Sequence, residues 1–485
     1  MRCLLTILTV LCASATFAQQ AKESVPPVSP GPREDPSRVI YELEVSPADE
    51  PRPAMKYRLL PNPADLKPGN AATQYYKAFV LEAQSPIRTE AYRKLEGWME
   101  TPLGELNLKE VGLALEQLNE PPFFTSIRAA TFRRDCDWEE PVEDEGVALL
   151  LPALQSFRSV AKLLAMKAKY EIAKHDYHEA MLTGRDAFTL GYHLQRDGEI
   201  LIQSLVGVAI VGMMHDEFFL EWIRSPGSPN LYAALAEIPP YYDSRGVIAT
   251  ELRFPEYTLP ALKEIDRRAF TADEAIQLAK SALAIDSRRF SGSLKDDAAR
   301  RVDLAAWALQ AYDESYRELT ASGFSAELLD QMPVLQVALL GRWQRYQAIR
   351  DDLYKWAALA YVVDRDLALR KQNEIHQVAR KTAVPFDAFL PPLGATYQAR
   401  LRQHRFLSVL RAIEALRLYA ARHGKWPEAL ADVRDVPVPH DPVTNAPFVY
   451  QASDNNATLI MVEHRLSSGM EYEYRLRLRA EEKSK

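Results

Sequence analysis

Cysteine is almost missing from this chain: there are three in 485 residues. Cys3 and Cys12 fall in the N-terminal leader, which leaves Cys136 alone in the mature protein. A single thiol cannot form an internal disulfide, so a disulfide-stapled secreted scaffold is excluded. Charge of one sign is also missing. Lys and Arg number 59 against 66 Asp and Glu, a net of −7, and no basic block is present to neutralise phosphates, so nucleic acid is not an expected partner. Long apolar runs are short too. The strongest, within Ile200 to Ile223, is interrupted by Gln203 and Ser204 and stops short of the roughly twenty residues needed to span a bilayer. It reads as the buried central helix of a bundle, and no transmembrane span is expected in the mature chain. No Gly-x-Ser-x-Gly elbow, activated cysteine or phosphate-cradling glycine loop occurs. Ser291-Gly292-Ser293 has the glycine without the strand-turn-helix pattern around it. No catalytic residue and no cofactor are assigned.

What is present is enough apolar content, 47%, for a chain of a length that usually divides into two or three units. Met1 to Ala18 carries a basic start at Arg2, an apolar stretch from Leu4 to Leu11 and a small-residue exit, the pattern of an export signal. Leu11 is too bulky for a lipobox before Cys12. The expected location is periplasmic or secreted. Residues 19–53 turn to Pro, Ser, Glu and Asp with little periodic apolar content, which predicts a disordered tether. A helical domain is expected over 54–392 and a separate tail domain over 393–480.

Within the helical domain, Gly69-Asn70 reads as a cap for a helix through Tyr75 and Phe79. Pro86, Pro102 and Pro121-Pro122 separate shorter pieces. Asp135-Cys136-Asp137-Trp138-Glu139-Glu140 reads as a solvated acidic loop rather than a cation site. Leu149, Leu154, Phe157, Val160 and Leu164 recur at helical spacing, and a second run passes through Ala180, Ala187 and Leu190, predicting an antiparallel pair. The third helix carries Gly207 and Gly212, which would let neighbours approach closely. Thr271 and Glu274 form a capping box. Val334 to Val378 reads as one long helix with Trp343, Tyr346, Leu353, Trp356 and Val363 facing inward. Its aromatic and Arg-rich part, Trp343 to Arg370, reads as core before it reads as a binding groove. Hairpin repetition is suggested, without the fixed period of a tetratricopeptide array.

The tail is the most patterned part. Leu401, Phe406, Val409, Leu410, Ile413 and Leu416 mark one buried helical face, with Arg and His on the other. The exit is Arg422-His423-Gly424, and Pro427 prevents regrowth. Pro437, Pro439, Asp441-Pro442 and Pro447-Phe448-Val449-Tyr450 set the chain direction before alternation begins. Strands are expected over Thr458 to Glu463 and Met470 to Leu478, the latter with Tyr472, Tyr474, Leu476 and Leu478 on one face. The series Tyr419, Gly424, Trp426-Pro427, Leu430, Asp441-Pro442 and Pro447-Phe448-Val449-Tyr450 resembles the C-terminal part of type II secretion pseudopilins. That resemblance implies a long helix packed on a small antiparallel sheet. The calcium loop of the major pseudopilins is not implied, because His464 to Gly469 lacks its carboxylates, and the chain starts with an export signal instead of a pilin leader. The whole chain also resembles uncharacterised secreted proteins of planctomycete-type bacteria. The fold class expected is mainly α: a multi-helix bundle or helical-hairpin array followed by a small α+β domain, a long helix on an antiparallel β-meander.

One cluster has ligand chemistry. In His175-Asp176-Tyr177-His178-Glu179, His175 and Glu179 stand four apart and could share a helical face, which makes His175, His178 and Glu179 the candidate metal ligands. The order is not that of a zincin. His215-Asp216-Glu217 could add a ligand if the third helix doubles back beside that turn. The leading functional expectation is a non-catalytic helical scaffold that engages another envelope or secreted protein. The alternatives are a metal-dependent hydrolase on the helical core and an accessory component of a secretion-like filament.

Overall fold

A computed structural model describes residues 38–479, apart from 84–85, 120–122, 152, 240–241, 285–296, 360–364 and 463–469. The export signal, residues 19–37 of the tether, Pro121-Pro122, Ser291-Gly292-Ser293, Val363 and the His464–Gly469 loop lie outside the described residues. The expected fold class holds: helices dominate, and a small sheet lies at the C-terminal end.

That sheet begins at the other end of the chain. Arg38–Val45 forms strand β1, and it pairs in parallel with the last strand, β6, Glu471–Leu478, from Arg38 opposite Glu471 to Val45 opposite Leu478. With β4 (Val449–Ser453) and β5 (Asn456–Met461) the order is β1-β6-β5-β4. The expected three-stranded meander is therefore present and enlarged by a fourth strand, and residues 38–45 are no tether. Their sequence explains why. Val39, Tyr41, Leu43 and Val45 alternate with Glu42 and Glu44, and the apolar set is buried on the side facing the helices. A short second pair, β2 (Lys67–Asn70) with β3 (Arg133–Asp135), braces the entry to the helices.

The hairpin expected in the centre is Ala153–Ala173 followed by Tyr177–Asp197. The central helix, Leu201–Met214, returns alongside it and continues through a wider π-helical segment, His215–Leu220, into Glu221–Arg224. Taken together, Leu201–Arg224 matches the expected helix from Ile200 to Ile223, and by length and composition it could cross a membrane. Here most of it is buried. Gly191 and Gly207 meet where the hairpin crosses the central helix: a Cβ on Gly207 would lie 2.5 Å from the Gly191 carbonyl oxygen. Gly212, expected to serve the same purpose, has open space around it.

The tail helix spans Leu393–His423 and closes on Gly424 with φ of 70°, the left-handed exit that glycine allows. It packs on the sheet and on the central helix at once. One apolar core accordingly runs from Val39 through the hairpin to Leu478, and a second gathers residues from Val142 to Leu393. The boundary expected at residue 392 does not separate two cores. The long helix expected over Val334 to Val378 is two, Val334–Leu359 and Arg365–Thr382. Both expected caps are present: Asn70 accepts from the Ala72 amide at 3.0 Å, and Thr271 and Glu274 cap each other.

Two substitutions test this packing. Gly207→Ala should cost roughly 1–3 kcal/mol by forcing the helices apart, whereas Gly212→Ala should be neutral or stabilising, because alanine removes glycine's entropy penalty in a helix; chemical denaturation measures both. Leu43→Ala in β1 should cost about 2–5 kcal/mol, as for any fully packed leucine. A freely moving tether would show no change in the denaturation midpoint.

Candidate functional site

The residues singled out as metal ligands serve the hairpin turn. His175 sits at its apex with φ of 59°, and its Nδ1 faces the Tyr177 hydroxyl at 3.0 Å. Asp176 caps the following helix by accepting from the Glu179 amide at 3.2 Å. Glu179 reaches Arg128 at 3.5 Å, and His178 is exposed. The third helix does double back beside this turn, but it presents Ser225 and Trp222 there. The Tyr177 hydroxyl lies 2.8 Å from the Ser225 hydroxyl and 2.7 Å from the Pro226 carbonyl, with its ring 5.2 Å from Trp222. Among the described residues no three His, Cys, Asp or Glu side chains are grouped to hold a metal ion. His175, His178 and Glu179 are not brought together as a ligand set.

The acidic loop carries its acids in solvent as expected, with Asp135, Asp137 and Glu139 exposed, but it is anchored from beneath. Cys136 and Trp138 are buried, and the Asn70 carboxamide ties the Asp137 backbone on both sides, at 2.7 and 2.9 Å. Burial pushes the Cys136 thiol pKa far up, which keeps it protonated and unreactive.

A constellation with acid-base character lies where the π-helical segment meets the sheet. Successive side chains of a regular helix diverge, and the wider turn at His215 aims His215 and Asp216 together at the strands. His215 Nδ1 stands 2.9 Å from Asp216 Oδ1, and its Nε2 stands 3.0 Å from the Tyr474 hydroxyl on β6. Tyr41 of β1 stacks on Tyr474 with ring centres 5.0 Å apart and also hydrogen-bonds Asp216. Phe406 of the tail helix covers the other face of the imidazole at 4.5 Å. Burial, and then the Asp216 charge, hold both tyrosine hydroxyls well above their ordinary pKa. They stay protonated and donate, which assigns His215 as donor to Asp216 through Nδ1 and acceptor from Tyr474 through Nε2. The chain Asp-His-Tyr has the order of a general-base relay. Its terminal hydroxyl, however, belongs to the protein's own strand. His215 is 2% exposed and Tyr474 0%, so the relay joins three elements and opens to no substrate.

Two further buried ion pairs secure the same region. Arg417, 0% exposed, bonds Glu414 at 2.8 Å, the Ser228 carbonyl and hydroxyl at 2.8 Å each, and the Ser46 carbonyl just past β1 at 3.0 Å. Arg405 holds Asp441 through Nε at 3.0 and 3.1 Å and the Val462 carbonyl at 2.9 Å. Asp441 in turn accepts from the Val443 amide at 2.8 Å. The Asp-Pro of the tail motif is thus a structural anchor. Trp426 donates to the Asn455 carbonyl at 2.9 Å, and the Tyr450 hydroxyl donates to the Pro427 carbonyl at 3.0 Å. No family model, curated protein or solved structure matches this chain.

Burial raises two glutamates far above the ordinary carboxylate range. Burial raises Glu217 from 4.5 to about 7, with Lys169 opposing. Burial likewise raises Glu251 to about 7, against the amide of Leu201, which its carboxylate caps at 3.1 Å. The Glu251 residue is partly exposed, but its carboxyl group is closely surrounded. A carboxyl whose folded pKa lies above its unfolded value is uncharged in both states at low pH and penalises the fold once ionised. Its contribution is therefore fully present below pH 4.5 and lost as pH rises through 7. Glu251→Gln should remove that loss. The stability of the variant relative to the parent should increase by roughly 2–3 kcal/mol between pH 4.5 and pH 8, read from urea denaturation across that window.

Proposed function

We propose that this chain is a non-catalytic helical scaffold of the cell envelope, exported by its leader, that holds another envelope or secreted protein. The observation that carries this reading is the sealed Asp216–His215–Tyr474 relay. Among the described residues, the Asp-His-Tyr arrangement is spent on joining the π-helical segment to β1 and β6. The tail's likeness to pseudopilins supports an envelope setting.

A route for the partner follows from the sheet register. β4 is an edge, and its ladder with β5 places Ser453 opposite Asn456 across a two-residue turn, then Gln451 opposite Thr458 and Val449 opposite Ile460. In such a hairpin the flanking residues exchange hydrogen bonds, so alternate residues face inward. The amides and carbonyls of Tyr450 and Ala452 therefore point outward, and they have no partner among the described residues. The strand, Val449-Tyr450-Gln451-Ala452-Ser453, carries no charge and no proline, the usual protections of an edge. An extended segment of the partner can add to it as a further strand.

A photo-crosslinker at Gln451, in the exported protein, should trap a discrete envelope partner. Ala452→Pro removes one outward amide without touching the β5 ladder and should abolish the trap while leaving Tm nearly unchanged. A crosslink that survives Ala452→Pro, or a protein found only in the cytoplasm, would overturn the reading. So would a hydrolytic turnover that His215→Gln destroys at unchanged Tm.

A further inference from the structure

The edge that admits a partner strand is open in the protein alone as well, and the make-up of that edge indicates what closes it there. The β4–β5 hairpin runs from Val449 to Met461 and carries one charge, Asp454 at the tip of its turn, in a chain that is 26% charged overall. Depletion of charge marks the centre of an interface rather than a solvated surface. Val449 is 43% exposed at the edge, and Gln451, Ala452 and Ser453 are exposed beside it.

The outward groups of β4 are arranged symmetrically. Tyr450 and Ala452 stand one residue either side of Gln451, the middle of the strand. An antiparallel copy of the same strand, placed with Gln451 opposite Gln451, sets Tyr450 of each opposite Ala452 of the other. Each such pair exchanges both its N–H···O bonds, so every outward amide and carbonyl of the two strands is satisfied. Slipping the copies by two residues carries one of these residues past the end of the other strand, and a slip of one sets an outward residue opposite an inward one. The same register places a large residue beside a small one on each face, Tyr450 beside Ala452 and Val449 beside Ser453. The Tyr450 ring is already held by its bond to the Pro427 carbonyl at 3.0 Å. No charge on one strand faces the same charge on the other, the repulsion that ordinarily keeps edges apart. The ladder is also bounded equally at both ends: Pro447, which has no amide, and Asn455 in the turn each lie four residues from Gln451.

We infer that β4 pairs with β4 of a second copy of this chain across a two-fold axis at Gln451, joining two four-stranded sheets into one. The contact is isologous, one patch meeting itself. Five residues a side bury far less than a standard stable interface, so the dimer is weak and a partner strand displaces it. The inference rests on the open β4 edge that the partner reading also uses, and it assigns what covers that edge when no partner is present.

Two cysteine variants of the full mature protein test it, since the parent's remaining thiol, Cys136, is buried. On the axis, opposed Gln451 residues form a non-hydrogen-bonded pair with Cα atoms about 4.5 Å apart, within the span of a disulfide, whereas the two Ser453 residues lie roughly 14 Å apart along the ladder. Under mild oxidation Gln451→Cys should therefore form a covalent dimer at least about tenfold faster than Ser453→Cys, although both positions are exposed. In sedimentation velocity the parent's average mass should rise with concentration. Gln451→Lys, which sets like charges on the axis, should stay monomeric at unchanged Tm. Equal crosslinking of the two cysteine variants, no crosslink in Gln451→Cys, or a parent that is monomeric at every concentration would overturn the inference. The purified protein holds no envelope partner, so these outcomes bear on self-pairing alone. Absence of a trapped envelope species while self-pairing is intact overturns the partner reading alone.

Discussion

Eight residues near the start of the folded chain lie in parallel register with eight at its end, and the remaining structure is arranged around that join. A parallel pair cannot be closed by a tight turn and needs a crossover connection. Here the crossover is nearly the whole protein, and Glu42 and Arg475 meet from 433 positions apart. The pairing therefore forms only when the helical body holds its ends at one place. The ion pairs along the outer face, Arg38 with Glu471 and Glu473, Arg475 with Glu42 and Arg479 with Glu44, are partly exposed and worth little each. The inward side chains Tyr41, Leu43 and Val45 supply the driving force, since burying a large apolar side chain contributes roughly 1.5–3 kcal/mol.

Three buried polar ties then fix how the join meets the helices. His215 links the central helix to β6 and its neighbour Asp216 links it to β1, Arg417 links the tail helix to the chain just past β1 and to the Ser228 turn, and Arg405 links it to Asp441. Such groups are costly to bury, and removing one partner strands the other. Their value is specificity: only one placement of the strands and helices satisfies all of them. This accounts for residues of catalytic type that serve as joints. It also leaves β4 as an open edge of the sheet.

Much of this was legible in the residues. The tail helix, its Gly424 exit, the central hairpin, the Asn70 cap and the Thr271 capping box follow from local spacing, and local spacing decides them in the structure too. What was not legible depends on distant partners. Val39, Tyr41, Leu43 and Val45 alternate as a strand should, but the surrounding prolines and acids read as tether, and the partner strand lies at the far end of the chain. The tail helix pattern places Arg and His on the face opposite its apolar one without naming partners for them; Arg405 and Arg417 are 0% exposed, paired from elements the helix pattern cannot name. The His175 cluster read as ligand chemistry because its residues are dense. Helix turns demand the same types, for capping and for a left-handed backbone at the apex. The relay was half visible: His215 and Tyr474 were each noted, and only the π-helical turn puts them within 3.0 Å.

The join requires β1 to be an integral strand, and native-state hydrogen exchange tests that directly. The amides of Arg38–Val45 that face β6 should exchange as slowly as those of β6 itself and of the tail helix, opening only with the whole fold. Exchange of the β1 amides at the rate of a free peptide, with β6 still protected, would contradict it.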